Sequence, residues 1–444
     1  MTNSTLQHTL NQSLKEFELP GASAIFIQND HKEFAHAGNI SLNDGKYDFD
    51  TQFRIGCLIK VLTATQIMML VEDKLIDLEQ PIVTYIPQLQ SSRSDYLLSI
   101  TTNQLLLHGS GLVANFLYQD NKLTTTNIIE AVCQYSNQEL FVSAPSTHSS
   151  YSNVGYVLLA LLIEKIRNKS WIEDLNERIL IPLEIAPKVH EETSPYFGEC
   201  LNKNCQGTYA SFEPKEFTPA DGGLLSFSAR ELMTIAQVHL NGGVGPNGQR
   251  ILAKKHIDAM QRSVNQLSGP WPGMRGLGYG WLAYADGSFG FSGDGIRQHV
   301  LVRILPETKA ALIVTANYHS AGVLFNELWN YCLTQIEGEM ISHEGSQRLD
   351  KQNFSITDCF LKQYSDSFRT FEINWKGTEG NVKVSSVQPN LFGDHKQVEL
   401  IHVNDNHFVA PELGVFSNLW LMTEKLGENE NGILWNGVSM LRSL

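Results

Sequence analysis

The chain has 444 residues, more than one ordinary domain needs and enough for a large core plus a second module. Hydrophobic residues make up 42% and charged residues 18%, an ordinary balance for a globular protein. The formal net charge of -14 excludes a nucleic-acid partner, which needs an excess of Lys and Arg, and fits a small-molecule or protein substrate.

In MTNSTLQHTLNQSLKEFELPGASAIF no basic stretch precedes an apolar one, so no signal peptide is expected. VLLALLIEKI breaks at Glu164 and Lys165 before reaching spanning length, so no membrane span is expected either. The expected location is the cytoplasm, where the six cysteines (57, 133, 200, 205, 332 and 359) stay reduced.

Leu6, Leu10, Leu14 and Phe17 share one face of a helix over 5–17. Pro20-Gly21 breaks it, ASAIFIQ reads as a strand, and EFAHAGNI reads as its hairpin partner across Asn29-Asp30. From Cys57 a long apolar helix is expected, because CLIKVLTATQIMMLVEDKL holds neither Gly nor Pro. A helical middle follows to about residue 260, broken by loops at 90–100, 109–120 and 185–222. After Gly276, GYGWLAYA, GSFGFSG, HVLVRILP and AALIVTANY predict an antiparallel sheet, and LFNELWNYCLTQIEG returns to helical period. This order predicts an α+β domain over 1–341 whose two ends meet at one sheet. SHEGSQRLDKQN (342–353) reads as a linker. FRTFEINW, GNVKVSSVQ, QVELIHV, HFVAPE and ILWNGVSML then predict a small antiparallel β module over 354–444, barrel-like in texture.

The chemistry starts at Cys57 and Lys60. Three residues apart on a helix, they share a face. A helix N-terminus and a nearby ammonium both favour a thiolate, the reactive form of cysteine. By itself, Cys-x-x-Lys is weak, because a cysteine in an apolar helix is ordinarily a small core residue.

The surrounding residues add context. FRIGCLIKVLTATQIMMLVEDKLIDLEQPIVTYIP resembles the first motif region of the class C β-lactamases and their esterase and peptidase relatives, where the pattern is Phe-x-Ile-Gly-Ser-x-x-Lys. LLLHGSGL (105–112), YSNVGYVLLALLIEKI (151–166), PADGGLLSFSAREL (219–232) and GLGYGWLAY with FGFSGDG (276–295) resemble the later landmarks of that superfamily, in the same order. The resemblance covers about 20 to 330. It implies the β-lactamase-like transpeptidase fold, an antiparallel sheet flanked by helices plus an all-helical part. The C-terminal module resembles the lipocalin-like domain that follows some of these hydrolases.

Roles carry over by position. The resemblance implies Cys57 as nucleophile where the family has serine, Lys60 as the group that holds or accepts its proton, and Tyr151 as the shuttle to the leaving group. Asn153 would bind Lys60 and a substrate amide. The backbone N–H groups of Cys57 and Asp294 would form the oxyanion hole. A packed aromatic with a helix cap is the bland account of Tyr151 and Asn153. His108 is expected to be a buried, hydrogen-bonded structural histidine.

Two positions depart from the family. Cys57 replaces serine, which tilts the chemistry toward thioester acyl transfer or ring closure. Phe291 stands where the third motif usually has Lys or His, with Ser292 and Gly293 kept, so an uncharged substrate group is expected there. β-Lactam hydrolysis and D-Ala-D-Ala peptidase activity are therefore not expected. Asp294 adds a negative charge beside the hole, and Arg297 is the nearest candidate cation in sequence. Cys200 and Cys205 lack the partners of a zinc site, and NGGVGPNG (241–248) lacks a phosphate-loop lysine. No metal and no cofactor is expected.

The expected function is acyl transfer, cyclisation or hydrolysis on an amide, ester or thioester in specialised metabolism. The expected partner is a small-molecule or peptide acyl substrate, free or bound to a carrier protein. Two other readings stay open: a catalytically silent ligand-binding relative, and a serine hydrolase carrying an engineered Cys57.

Overall fold

The computed structural model describes residues 5–17, 19–39, 48–113, 125–134, 140–147, 149–186, 225–262, 274–284, 286–295, 298–317 and 322–337. In the C-terminal part it describes 363–365, 369–376, 379–386, 396–404, 407–409, 418–422, 432–435 and 438–442. The linker expected at 342–353 lies outside these residues.

Helix α1 (Leu6–Glu16) buries Leu6, Leu10 and Leu14, the face read from their spacing, and Thr5 caps it by accepting from the His8 N–H. Strands β1 (Gly21–Gln28) and β2 (His31–Gly38) form the hairpin, with Gln28 opposite His31 across Asn29-Asp30. β3 (Phe53–Arg54) and β4 (Ser226–Phe227) make a separate two-stranded ladder. β5 (Met274–Leu277), β6 (Leu282–Tyr284), β7 (Phe289–Gly295), β8 (Gln298–Leu305) and β9 (Ala310–Ala316) join the hairpin in one seven-stranded sheet, ordered β2-β1-β9-β8-β7-β6-β5. The first and last parts of this unit thus meet where β1 pairs with β9.

Strands β1, β8 and β9 are buried on both faces, and their alternation sorts side chains into two cores. Ile25, Ile27, Val300, Val302 and Ile313 face the helical part, with α2 (Ile59–Glu72) and α3 (Asn153–Arg167). Ala24, Phe26, Leu301, Leu312 and Val314 face α1 and α5 (Gly322–Glu337). Between α3 and α5 in sequence lies α4 (Ala229–Leu240), opened by a capping box of Ser228 with Glu231.

Polar anchors pin the α5 side. Glu33 Oε2 accepts from the Tyr331 hydroxyl at 2.8 Å and from the Leu6 N–H at 3.3 Å, joining β2, α5 and α1. Arg303 on β8 donates to Asp286 at 2.9 Å and to the Ser288 hydroxyl at 2.8 Å, and Trp329 Nε1 donates to the same carboxylate at 2.8 Å. Burial alone would raise the Asp286 carboxyl; Arg303 and these hydrogen bonds outweigh it and hold it below the usual range.

The C-terminal strands, β10 (Gln363–Ser365) through β17 (Val438–Arg442), form a closed eight-stranded antiparallel barrel. Sequence patterning had indicated five segments. Two short strands, β10 and β15 (Asn418–Met422), escaped it. ILWNGVSML is two strands, β16 (Gly432–Trp435) and β17, with Trp435 opposite Val438. Among the described residues, no helix is long and apolar enough to cross a membrane.

Candidate active site

Cys57 does not begin the long helix, as the absence of Gly and Pro had suggested. It is the middle residue of a 3-10 turn, Gly56–Leu58, and α2 begins at Ile59. Gly56 has φ +47°, a backbone region open to glycine at no steric penalty, and this lets the chain leave β3 and turn at once into the helix. The approach is pinned on both sides: the Ile55 N–H donates to the Leu225 carbonyl at 3.1 Å, and the Arg54 N–H to Gln298 Oε1 at 2.8 Å. Cys57 is a free thiol, half-buried, and packs against the helical core.

Helix α2 is apolar nearly all round and accordingly buried on all sides. Lys60 sits in its first turn with 0% exposure. A cation there is expensive unless its surroundings compensate. Rings surround it: Nζ lies 4.9 Å from the Tyr151 ring centroid and 5.5 Å from that of Tyr156, both within cation–π range.

Tyr151 and Asn153 flank the start of α3. The cap between them is Ser152, whose hydroxyl accepts from the Gly155 N–H at 3.0 Å and donates to the Val113 carbonyl at 2.7 Å. Capping therefore falls to Ser152, so Tyr151 and Asn153 are not explained by that task.

His108 is the buried, hydrogen-bonded histidine anticipated. Its Nδ1 accepts from the Ser152 N–H at 3.1 Å, which puts the ring proton on Nε2. Its carbonyl accepts from the Ser150 N–H at 2.9 Å. The ring packs 4.6 Å from Tyr151 and 5.1 Å from Tyr156. Burial, with the Lys60 charge as a second cause, pushes it down to about 3, so it is neutral at physiological pH.

Tyr156 was not among the residues singled out from the sequence. It is fully buried one helical turn after Asn153. Its hydroxyl donates to the Leu106 carbonyl at 3.1 Å and accepts from the Gly280 N–H, and burial pushes the phenol up. It thereby ties α3 to the 105–112 segment and to the β5–β6 connection directly beside Lys60.

Strand β7 completes the site. A Cβ on Gly293 would lie 1.6 Å from the Ile55 carbonyl oxygen and 3.1 Å from the Cys57 nitrogen, so only glycine lets this strand reach the Cys57 turn. Phe291, two residues earlier, is 4% exposed in the helix-side core, opposite Val302. Ser292 is half-buried, and Asp294 follows in the ladder opposite His299. β6 pairs with β7 only at Phe289 and Gly290, so among the described residues the other backbone edge of Phe291–Gly295 has no strand on it. The Asp294 side chain, Arg297, Cys200, Cys205 and 219–224 lie outside the described residues. Among the described residues, no group of three or more His, Cys, Asp or Glu side chains could hold a metal.

The Beta-lactamase family model matches residues 6–330, nearly three-quarters of the chain. The chain belongs to the beta-lactamase family. Among relatives of this beta-lactamase family chain, penicillin-binding protein 4 of Amycolatopsis lactamdurans is 26% identical over 73% of this chain and 87% of its own length. Protein flp of Staphylococcus aureus is 21% identical over 83% and 71%. Among solved structures, SurE with D-Leu superposes with a TM-score of 0.71 at 21% identity, covering 99% of this chain and 98% of that one. The octameric penicillin-binding protein homologue from Pyrococcus abyssi gives 0.65 at 20% identity, covering 99% and 100%. D-amino acid amidase from Ochrobactrum anthropi gives 0.61 at 22% identity, covering 75% and 97%. These superpositions support the fold: an α+β, β-lactamase-like antiparallel sheet with helices.

Proposed function

We propose that this chain catalyses acyl transfer through a thioester formed on Cys57. The observation that carries the reading is Lys60, wholly buried three residues from the half-exposed Cys57, with the Tyr151 ring 4.9 Å from its ammonium. A buried lysine at this spacing from a thiol has a chemical use that a packing residue would not need.

The step runs as follows. The Cys57 thiol passes its proton by way of Lys60 to Tyr151 as its sulfur attacks the acyl carbonyl carbon, forming an S–C bond, and the carbonyl oxygen takes the negative charge. The N–H groups of Cys57 and Asp294 hold that oxygen, a pairing supported by the close approach of Gly293 to the Cys57 nitrogen. The bond to the leaving nitrogen, oxygen or sulfur breaks as Tyr151 delivers a proton to it, Lys60 balancing the charge. Water or an amine then attacks the thioester, gives up its proton along the same route, and restores the thiol. Hydrolysis, transfer and ring closure differ only in the acceptor. Asn153 holds the substrate amide, and Ser292 and Gly293 line its path.

Buried Phe291 in place of a cation supports a substrate without a carboxylate at that point. The names of related structures, SurE with D-Leu and a D-amino acid amidase, point to a donor carrying a D-configured aminoacyl residue. The same reading divides the chain into a catalytic unit (1–341), a linker (342–353) and a barrel module (354–444).

Incubation with a panel of aminoacyl and acyl thioesters, D and L, tests this by intact mass. The expected result is one acyl mass on Cys57, absent in Cys57→Ala. No adduct from any donor, on a Cys57 that iodoacetamide still alkylates, overturns it.

A further inference from the structure

Strand β2 ends the seven-stranded sheet. Its inner edge pairs with β1, and among the described residues no strand pairs with its outer edge. Such an edge offers a row of N–H and C=O groups to any other extended chain. Here one residue of the row is occupied by a side chain from α1. Gln7 Oε1 accepts from the His36 N–H at 3.2 Å, and Gln7 Nε2 donates to the His36 carbonyl at 3.1 Å. A residue of a neighbouring antiparallel strand makes this same pair of bonds. The other Nε2 proton goes to Asn11 Oδ1 at 3.0 Å, one turn along α1, and this fixes which way the amide points. The helix itself cannot drift from the strand, because Leu6 and Leu10 are buried beneath the sheet and the Leu6 N–H donates to Glu33 Oε2 at 3.3 Å.

The Gln7 bonds also show which way β2 faces. His36 turns its N–H and C=O away from β1, so alternation along the strand turns those of Lys32 and Phe34 outward as well. The side chains of these three residues share one face. The Phe34 ring is 39% exposed there, packed edge-on to Phe49 at 5.3 Å.

We propose that Gln7 is an edge guard that keeps a second copy of this chain from adding its own β2, antiparallel, to this one. The register of the strand argues for that partner. A two-fold axis through Phe34 puts Phe34 opposite its own copy, ring beside ring, and puts Lys32 opposite His36 on both sides of the axis. The outward N–H and C=O groups of all three residues then pair. With Gln7 in place both His36 residues are already taken, so the pairs on either side of the axis are lost together. Only the central Phe34 pair remains, too little ladder to hold two chains. One glutamine thus acts twice, because the symmetry repeats it.

The test is made on the full chain. Gln7→Leu removes both bonds to His36 and keeps a side chain of similar length and helix preference. Sedimentation at stepped concentrations should show its mass rising above that of the wild type measured in parallel. Adding Phe34→Lys to Gln7→Leu should return the mass to the wild-type value, since the axis sets the new charge against its own copy. A Gln7→Leu chain that keeps the wild-type mass at every concentration overturns the guard. Association that survives Phe34→Lys overturns the pairing through β2. Hydrogen exchange on the unaltered chain gives a check that needs no variant to fold. Corrected for sequence, the His36 amide should exchange several-fold to about tenfold more slowly than that of Phe34, the difference one hydrogen bond makes to local opening. Equal rates at the two amides overturn the occupied edge.

Discussion

Arg303 and Lys60 are both cations packed among aromatic rings, on opposite sides of one sheet. Arg303 lies 3.9 Å from the Tyr284 ring centroid and 4.6 Å from that of Trp329, and the Asp286 carboxylate answers its charge at 2.9 Å. That carboxylate is itself saturated by Ser288 and Trp329. Lys60 lies 4.9 Å from the Tyr151 ring centroid and 5.5 Å from that of Tyr156, neutral His108 packs against both rings, and a thiol stands three residues away. The first arrangement braces α5 on the sheet. Under the acyl-transfer reading, the second serves proton handling, which catalysis needs and stability does not.

The sharpest way to break the comparison is to remove one charge from each. Lys60→Met should lower Cys57 acylation by roughly 100-fold to 10,000-fold, the usual span for a lost proton-handling group. It should leave urea stability unchanged or raise it, since an apolar residue of similar volume replaces a buried cation. Asp286→Asn should do the reverse. It strands a buried guanidinium, at a cost of about 3–5 kcal/mol in urea unfolding, and acylation of the folded fraction should persist. If Asp286→Asn silenced acylation in folded protein, or Lys60→Met unfolded the chain, the contrast would fail.

A smaller effect is expected at the joint between sheet and nucleophile. Gly293→Ala places a methyl where the Ile55 carbonyl now sits, so the Cys57 turn must move. Acylation should fall by about 100-fold, a loss seen for displacements near 1 Å, while iodoacetamide still reaches the thiol.

The smallest effect is on pH stability. Burial pushes His108 and His239 down to about 3. Below their unfolded value of about 6.5 the unfolded chain binds two protons that the native state refuses, so stability is full above that pH and drains as pH falls toward 3. The slope should approach about 2.7 kcal/mol per pH unit between these limits. His239 packs edge-on against Trp281 at 5.0 Å, so His239→Phe keeps a ring there and should lower the slope by about 1.4 kcal/mol per pH unit in urea titrations run at stepped pH. An unchanged slope would show that His239 is not held neutral.

Much of the scaffold was legible in the sequence because its signals are local. Leu6, Leu10 and Leu14 declare a face by spacing, and Asn29-Asp30 joins two strand patterns across a turn that the structure keeps. The 3-10 turn at Cys57 was not legible, since Gly56 takes a positive φ that no neighbour announces. The barrel was read as five segments because a three-residue strand such as Gln363–Ser365 has no room to alternate. Asn436-Gly437 inside ILWNGVSML carried a hairpin signal that the apolar pattern around it masked. Tyr156 was overlooked because an aromatic in an apolar helix has the same pattern whether it fills space or faces a cation.

By itself, the sequence determined the order of the motifs, the hairpin, the sheet-forming segments and the presence of Cys57 where relatives of that pattern have serine. These follow from spacing along a few turns or strands. Only the tertiary structure decided what Lys60 meets. Residues 60, 108, 151 and 156 are brought together by α2 packing on α3 and by the 105–112 segment, whose His108 lies against both tyrosine rings and whose Leu106 carbonyl accepts from the Tyr156 hydroxyl. A ring's effect on an ammonium depends on which face it presents and at what distance, and neither quantity exists until the helices have packed.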